Sequence, residues 1–244
     1  MKNEVDVAAF AASFVESVRQ LPGTSIAAPA PPREIDRVEA FAGARLPAAH
    51  RALLLQANGL TANWGYLRLF GVGDGAEDIG PWNAHETWKF AWPRQLDDYM
   101  SIGQSGWGDQ YAYQLEDLKR GVESVHRLDH FLMEVADEPV ADSFEAFLYG
   151  FMASAREPGE SVREARRQIG DLEPGQLAVF APSPLLVGLE RATHMTKMYS
   201  RGALVTNGDM LAQLGEQANE TRGVERIETY LDDRGRQRIG VRWA

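Results

Sequence analysis

Adjacent carboxylates are the residues of this chain that most obviously could do chemistry. Such pairs occur at Glu77-Asp78, Asp97-Asp98, Glu116-Asp117 and Asp137-Glu138. Two carboxyl groups catalyse hydrolysis when one of them is desolvated and protonated opposite an ionised partner. Adjacent acids in polar loops are more often both solvated, so these pairs do not by themselves predict a hydrolase.

Histidines offer a second chemistry, the binding of a metal ion. His85-Glu86 begins like a helix-borne zinc motif, but Lys89 stands where the second histidine ligand is needed. His126 and His130 are four residues apart, yet their segment has the pattern of strand and turn and offers no obvious third ligand. We therefore predict no metal site and no cofactor.

Other catalytic motifs are absent from the sequence. No phosphate-binding loop and no nucleophile elbow occurs, and the chain has no cysteine, which excludes disulfides and thiolate catalysis. Glycines at 71, 73 and 75 resemble a nucleotide loop only superficially, because no helix start is evident after them. We expect a hairpin or loop there and a protein that is not an enzyme.

Charge is distributed unevenly along the 244 residues, whose formal net charge is −10. Residues 1–155 hold 12 Lys or Arg against 22 Asp or Glu, whereas residues 156–244 hold 13 of each. An acidic surface repels phosphate backbones, which disfavours direct nucleic-acid binding, and it speeds the capture of a basic protein. The alternative is that the net charge serves solubility alone.

Tryptophans and acids crowd one stretch of the sequence. Large aromatic side chains beside acids are typical anchors of protein interfaces, although each ring could instead fill the core of a small domain. Trp107, which lies between two glycines, is the ring we most expect to be exposed. The predicted partner-binding residues are Trp64, Asp74, Glu77, Asp78, Trp82, Glu86, Trp88, Trp92, Trp107 and Asp109.

Apolar periodicity in the first part predicts helices and strands in one α+β unit. Residues 6–20 have the pattern of an amphipathic helix, and four prolines in residues 22–32 predict an extended connector. A helix with Ile35, Val38 and Phe41 at helical spacing follows, and Leu46-Pro47 opens another that stops at Asn58-Gly59. Strands are expected at residues 64–72, 99–103, 110–115, 124–128 and 131–135.

A second unit is expected after residue 160. Before it, Asp142 and Glu145 predict a capped helix that buries Phe144, Phe147, Leu148 and Phe151. Ser161 and Glu164 predict a basic helix, which is followed by short strands at residues 177–181 and 185–187 and a helix at 209–217. Residues 226–231 and 237–243 form a β-hairpin.

The order of these motifs resembles the SUKH superfamily over roughly residues 33–152. The residues that carry the resemblance are Ile35, Glu39, Leu46-Pro47, His50-Arg51, Leu53-Leu54, Asn58-Gly59, Gly108-Asp109-Gln110-Tyr111, Ser143-Phe144 and Phe147-Leu148. The resemblance implies an antiparallel sheet flanked by helices. Together with the patterns above, it divides the chain into an N-terminal helix (1–21), a proline-rich linker (22–33), a SUKH-like domain (34–156) and a small C-terminal α+β domain (161–244) that ends in a β-hairpin.

The resemblance also implies a function, because many bacterial members of the superfamily are immunity proteins that bind and block polymorphic toxins. A cytoplasmic, non-catalytic protein that masks the active site of a basic toxin domain, such as a nuclease, is the expectation. A regulatory or scaffold adaptor is the alternative, and an uncharacterised hydrolase is the third. No apolar run approaches the ~18 residues of a membrane span, and the N-terminus lacks the pattern of a signal peptide.

A second resemblance concerns residues 170–218. The segment from Gly170 to Gly188, GDLEPGQLAVFAPSPLLVG, is similar to the C-terminal domain of some type VI secretion immunity proteins. A leucine-rich segment, DMLAQLGEQ, follows it as in that family. Gln176 stands where those proteins usually have an acidic residue, and one of the paired glycines is missing after Gly188.

Overall fold

The computed structural model describes residues 4–21, 23–63, 65–84, 98–106, 108–130, 134–155, 160–181, 194–199, 224–231 and 237–243. Two compact units make up the chain. The first is drawn from Met1–Ala62 and Leu67–Ser154, and the second from Asn63–Tyr66 and Ala155–Ala244. Elements are numbered in chain order over the described residues.

Seven helices lie in this part of the chain. They are α1 (Glu4–Arg19), α2 (Pro32–Ala42), α3 (Ala48–Leu54), α4 (Ile79–Ala84), α5 (Leu115–Lys119), α6 (Phe144–Ala155) and α7 (Glu160–Ile169). Across the described ranges, no helix combines the length and the apolar character that crossing a membrane requires.

The first unit is built on a seven-stranded antiparallel sheet in which each strand pairs with the next along the chain. Its strands are β1 (Ser25–Ile26), β2 (Leu60–Ala62), β3 (Leu67–Leu69), β4 (Tyr99–Ser105), β5 (Gln110–Gln114), β6 (His126–Asp129) and β7 (Glu134–Val135). The two edge strands have two residues each, and such short edges are poor templates for another chain. The predicted α+β class, with an antiparallel sheet flanked by helices, is confirmed.

Helix α2 begins at a proline and ends at Gly43, whose φ of 64° gives the left-handed turn that stops the helix. Its buried positions are Ile35, Val38, Glu39 and Ala42, the i, i+3, i+4, i+7 spacing of one helix face. Phe41 is therefore exposed, although the apolar pattern placed it with Ile35 and Val38. A glutamate occupies the buried face in its place.

Glu39 is buried because it holds the α2–α3 connection. Its Oε1 accepts the Leu46 N–H at 3.2 Å, and its Oε2 lies 3.1 Å from Arg45 Nη1 and 3.1 Å from Arg51 Nη1. A buried carboxylate is stable only when it is partnered in this way. The superfamily's helix glutamate thus has a structural role in this chain.

Aromatic stacking joins three elements at the centre of the first unit. His50 on α3, Tyr113 on β5 and Phe144 on α6 are each 0% exposed. The His50 ring stacks on Phe144 with centroids 4.3 Å apart, and the Tyr113 hydroxyl lies 3.1 Å from His50 Nδ1. Burial lowers the pKa of His50 to about 3, so the imidazole is neutral.

Helix α6 buries the predicted face of Phe144, Phe147, Leu148 and Phe151. Its first turn is capped by Ser143, whose Oγ accepts the Ala146 N–H at 3.2 Å, rather than by Asp142 as the sequence suggested. Helix α1 packs on α3.

The second unit contains a four-stranded antiparallel sheet in the order β10-β11-β8-β9, with α7 preceding it in the chain. Its strands are β8 (Gln176–Ala181), β9 (His194–Tyr199), β10 (Val224–Leu231) and β11 (Gln237–Trp243). The predicted closing hairpin is β10–β11, and Val241 and Trp243 are buried. The predicted strand at 185–187 and helix at 209–217 lie outside the described residues.

Strand β1 and helix α4 of the first unit were not predicted. Strand β1 lies within the proline-rich connector, where Ser25 and Ile26 pair with Thr61 and Leu60 of β2. Helix α4 follows the glycine loop, where no helix start was expected. Both are only two to six residues long, and such elements depend on tertiary partners more than on local pattern.

Gly103 should tolerate no side chain. A Cβ there would lie 2.4 Å from the backbone oxygen of Arg68 on the neighbouring strand. We expect Gly103→Ala to lower the free energy of unfolding by about 1–3 kcal/mol, measured by urea denaturation. Gly150→Ala is the control, because nothing lies within 4 Å of its Cβ position on α6. It should raise the stability by about 0.5–1 kcal/mol, and equal losses in the two variants would contradict the packing argument.

Acid should destabilise the protein through His50. Below pH 6.5 the unfolded chain binds a proton at this imidazole, whereas the folded chain does not until about pH 3. Stability therefore falls as the pH is lowered from 6.5, by about 1.4 kcal/mol per pH unit. The slope should be visible in urea titrations between about pH 6.5 and pH 5, and His50→Gln should remove it. A slope unchanged by His50→Gln would refute the assignment.

Candidate functional site

The acidic loop, residues 71–78, connects β3 to α4 and carries three of the predicted binding residues. Its sequence is GVGDGAED, with Asp74, Glu77 and Asp78 and no lysine or arginine. Trp82 lies on α4 directly after it. This is the part of the predicted surface that the structure describes most completely.

Asp78 organises the loop from within. Its Oδ2 accepts the Gly75 N–H at 2.7 Å, and its backbone carbonyl accepts the Trp82 N–H at 2.8 Å at the start of α4. A Cβ on Gly71, Gly73 or Gly75 would lie within 2.9 Å of an Asp78 carboxylate oxygen. The three glycines therefore allow the backbone to fold closely around the Asp78 carboxylate. This packing explains the glycine spacing that resembles a nucleotide-binding loop, without a bound phosphate.

Asn58 anchors the other side of the loop. Its Oδ1 accepts the Val72 N–H at 2.7 Å, and its Nδ2 donates to the Val72 carbonyl at 2.9 Å. Gly59 has a φ of 86°, and a Cβ on it would lie 2.8 Å from the Gly71 nitrogen. The Asn-Gly pair thus holds the loop in place. It does not end α3 as the sequence predicted, because that helix stops at Leu54 with Leu55 as its C-cap.

Asp74 and Glu77 point their carboxylates outward. Their side chains are 84% and 61% exposed. Asp74 Oδ1 accepts a hydrogen bond from Arg37 at 3.0 Å, and Glu77 Oε1 accepts one from Arg68 at 2.6 Å. The hydrogen bond that Arg37 donates to Asp74 raises the pKa of Arg37. Exposed pairs of this kind contribute little to stability, so both carboxylates can exchange partners.

A small cavity of about 190 Å³ adjoins the acidic loop. Glu77 and Asp78 line it together with Asn58 and Arg68. Its size suits a single side chain from another molecule rather than a drug-sized ligand.

Trp82 is partly buried and packs inward. Its ring lies 4.9 Å from that of Phe70, and it packs against the buried pair Ala112 and Leu128. The indole therefore contributes to the core, the alternative role that the sequence left open for each tryptophan.

Asp109 lies on the β4–β5 turn, and its contacts are with the end of β6. Its Oδ1 is 2.7 Å from His130 Nδ1 and accepts the His130 backbone N–H at 3.2 Å. Trp64, Glu86, Trp88, Trp92 and Trp107 lie outside the described residues. The interface formed by the whole predicted set thus stays a prediction.

A second concave surface lies between α2 and α3. It encloses about 740 Å³ and is lined by Asp36, Glu39, Arg45 and Arg51, with three small residues between them. Arg51 donates to Asp36 at 2.9 Å, and this hydrogen bond raises the pKa of Arg51. The two arginines and two acids satisfy one another, which is the arrangement of a structural clamp rather than of a ligand site.

Sequence reasoning missed one cluster of titratable groups. Asp129 at the end of β6 joins Asp109 and His130, and one ligand atom from each lies within 4.8 Å of the others. The adjacent pair Asp129-His130 at the end of a strand is visible in the sequence. Only the register of the sheet, however, brings Asp109 close to this pair. Pairing of Gln110 with Leu128 places the turn beside the end of β6.

The first unit is thus an α+β domain in which the described acids of the predicted surface form ion pairs or hold turns. A model of the SMI1 / KNR4 family (SUKH-1) matches residues 29–150. The chain belongs to this family, and the resemblance seen in the ordered motifs is confirmed.

Other comparisons add little. The crystal structure of Atu4351 from Agrobacterium tumefaciens is 13% identical, and the match covers 89% of this chain and 92% of that one, with a TM-score of 0.37. A likeness at this level carries no argument about function. No curated protein matches the chain.

The acids of the loop should differ in their contribution to stability, because Asp78 holds the loop backbone whereas Asp74 and Glu77 form only exposed ion pairs. Asp78→Ala removes the hydrogen bond to Gly75 and should cost about 1 kcal/mol of unfolding free energy. Glu77→Ala removes only an exposed ion pair and should cost at most about 0.5 kcal/mol. Urea denaturation of both variants checks this, and a larger loss for Glu77→Ala than for Asp78→Ala would reverse the assignment.

Proposed function

We propose that this protein is a non-catalytic, cytoplasmic immunity protein that neutralises a toxin by covering its basic active site. Family membership fits a protein-binding module of this kind. The observation that carries the proposal is the acidic loop, which presents two exposed carboxylates on a rigid turn within the matched domain. In this proposal, the acidic loop is the part of the protein that contacts the toxin.

Rigidity is what makes the loop suitable for binding. Asp78 and Asn58 fix the loop backbone through hydrogen bonds at 2.7–2.9 Å. A partner therefore meets preorganised carboxylates and does not have to order a flexible segment, which would weaken affinity. Side chains on a fixed backbone also retain their spacing against the partner's cations.

Ion-pair exchange supplies the mechanism. Asp74 and Glu77 leave Arg37 and Arg68, which are solvent-accessible, and accept lysine or arginine side chains of the toxin. One such side chain occupies the 190 Å³ cavity beside Glu77 and Asp78. The lysine and arginine side chains of a nuclease active site are then paired with carboxylates of this protein and cannot hold a nucleic-acid phosphate.

Long-range attraction acts before contact. Residues 1–155 carry ten more acids than bases, and this field draws in a basic partner and raises the association rate. Aromatic anchors that become buried when the complex forms, for which the tryptophans at 64, 88, 92 and 107 are the predicted candidates, set the lifetime of the complex.

The direct test is a binding measurement with the purified product of a toxin gene found beside the gene for this protein. Asp74→Lys/Glu77→Lys should slow association about 10- to 100-fold at low salt, because the attraction becomes repulsion at the contact. Asp137→Lys/Glu138→Lys makes the same change in net charge on another exposed loop and should slow it much less. Stopped-flow or surface plasmon resonance at several salt concentrations provides the rates.

Two outcomes would contradict the proposal. Equal slowing by the two double variants would assign the effect to net charge and remove the loop from the interface. Absence of a complex, together with no protection of cells that express the toxin, would remove the immunity function itself. In that second case the adaptor function that the superfamily also includes becomes the better explanation.

A further inference from the structure

Three potential metal ligands converge where the β4–β5 turn meets the end of β6. Asp109 comes from the turn, and Asp129 and His130 come from the strand end. One carboxylate oxygen of each aspartate and one ring nitrogen of His130 lie within 4.8 Å of one another. The three side chains are 14%, 24% and 43% exposed in that order, so the cluster is open to solvent on the imidazole side.

The fold holds the three groups together from two directions. Antiparallel pairing of β5 with β6 sets Gln110 opposite Leu128, which brings residues 109 and 129–130 to the same end of the sheet. Asp109 is fixed by two contacts, because its N–H donates to Ser105 Oγ at 3.1 Å and its Oδ1 accepts the His130 N–H at 3.2 Å. The three potential metal ligands are thus positioned by the backbone and not only by their contacts with one another.

Electrostatics favours a cation at this point. Two carboxylates lie close together in a half-buried setting, where their repulsion is less screened than in water, and a bound cation would offset that repulsion. Asp129 Oδ2 lies 3.9 Å from Arg127 Nη2, and Asp109 Oδ1 lies 2.7 Å from His130 Nδ1.

We propose that Asp109, Asp129 and His130 form a binding site for a divalent transition-metal ion, with zinc as the best fit. One imidazole nitrogen and two carboxylate oxygens are ligands that Zn²⁺ accepts, whereas Mg²⁺ and Ca²⁺ prefer oxygen alone. Three protein ligands leave a fourth position for water or for a side chain of another molecule.

Small rotations complete the site. Zinc bonds of about 2.0–2.2 Å in a tetrahedron set neighbouring ligand atoms about 3.3–3.6 Å apart. Asp109 Oδ1 and His130 Nδ1 are 2.7 Å apart, so zinc would replace their hydrogen bond, and small side-chain rotations would bring the third ligand atom from within 4.8 Å to bonding distance. The bound ion would join the turn to the strand end and so stabilise the native state.

Isothermal titration of the full chain with ZnCl₂ is the experiment, with MgCl₂ as the comparison ion and circular dichroism to check each variant's fold. One zinc ion per chain should bind, and the Tm should rise by about 3–6 °C in excess zinc. Asp129→Asn and His130→Gln should each weaken binding at least tenfold, about the loss expected from removing one ligand. His194→Gln and Asp137→Asn are the matched controls and should bind zinc as the native chain does.

Asp129→Asn keeps the proposal testable if His130→Gln disturbs the turn, because it is nearly isosteric and leaves the contacts of Asp109 to His130 in place. Zinc binding that persists in both ligand variants, or that is lost in the His194→Gln control, would place the ion elsewhere and overturn the proposal. No saturable binding, or equal affinity for magnesium, would overturn it as well. In those cases Asp109 and His130 serve only to close the turn.

Discussion

Burial of a neutral histidine among aromatic rings is the contact on which the first unit depends. His50 joins α3 to β5 through Tyr113 and to α6 through Phe144, and all three side chains are fully buried. Burial lowers the pKa of the imidazole and raises that of the Tyr113 phenol, so both groups stay uncharged in the core. The packing of α3 and α6 on β5 therefore includes a polar contact that tolerates no charge.

Around this core, polar residues of the first unit act mainly as connectors. Glu39 closes the α2–α3 link, Asn58 and Asp78 fix the acidic loop, and Asn83 ties α4 to β4 through hydrogen bonds to both backbone groups of Ser101. Each of these side chains satisfies backbone groups that the short strands and helices leave unpaired. Such a scaffold can carry different exposed residues without loss of the fold.

The surface charges have two distinct roles in this arrangement. Asp74 and Glu77 are paired with arginines but exposed, so their pairing is exchangeable and leaves them available to a partner. Asp109 is largely buried by comparison and points to β6, where Asp129 and His130 complete a set of metal ligands. Asp74 and Glu77 on the one hand and Asp109 on the other were all predicted as interface residues, yet they belong to separate sites with separate chemistry.

Sequence alone determined the fold class, the family, the amphipathic helices and the closing hairpin, because these depend on apolar periodicity, on helix-opening prolines such as Pro47 and on the order of motifs. It also located the acids of the candidate surface. Tertiary structure decided which acids are free to bind and which hold the backbone, since burial of Glu39 and Asp78 depends on residues distant in sequence. It alone formed β1, and it alone brought Asp109 to Asp129 and His130, because strand register is set by pairing across the sheet and leaves no mark in local pattern.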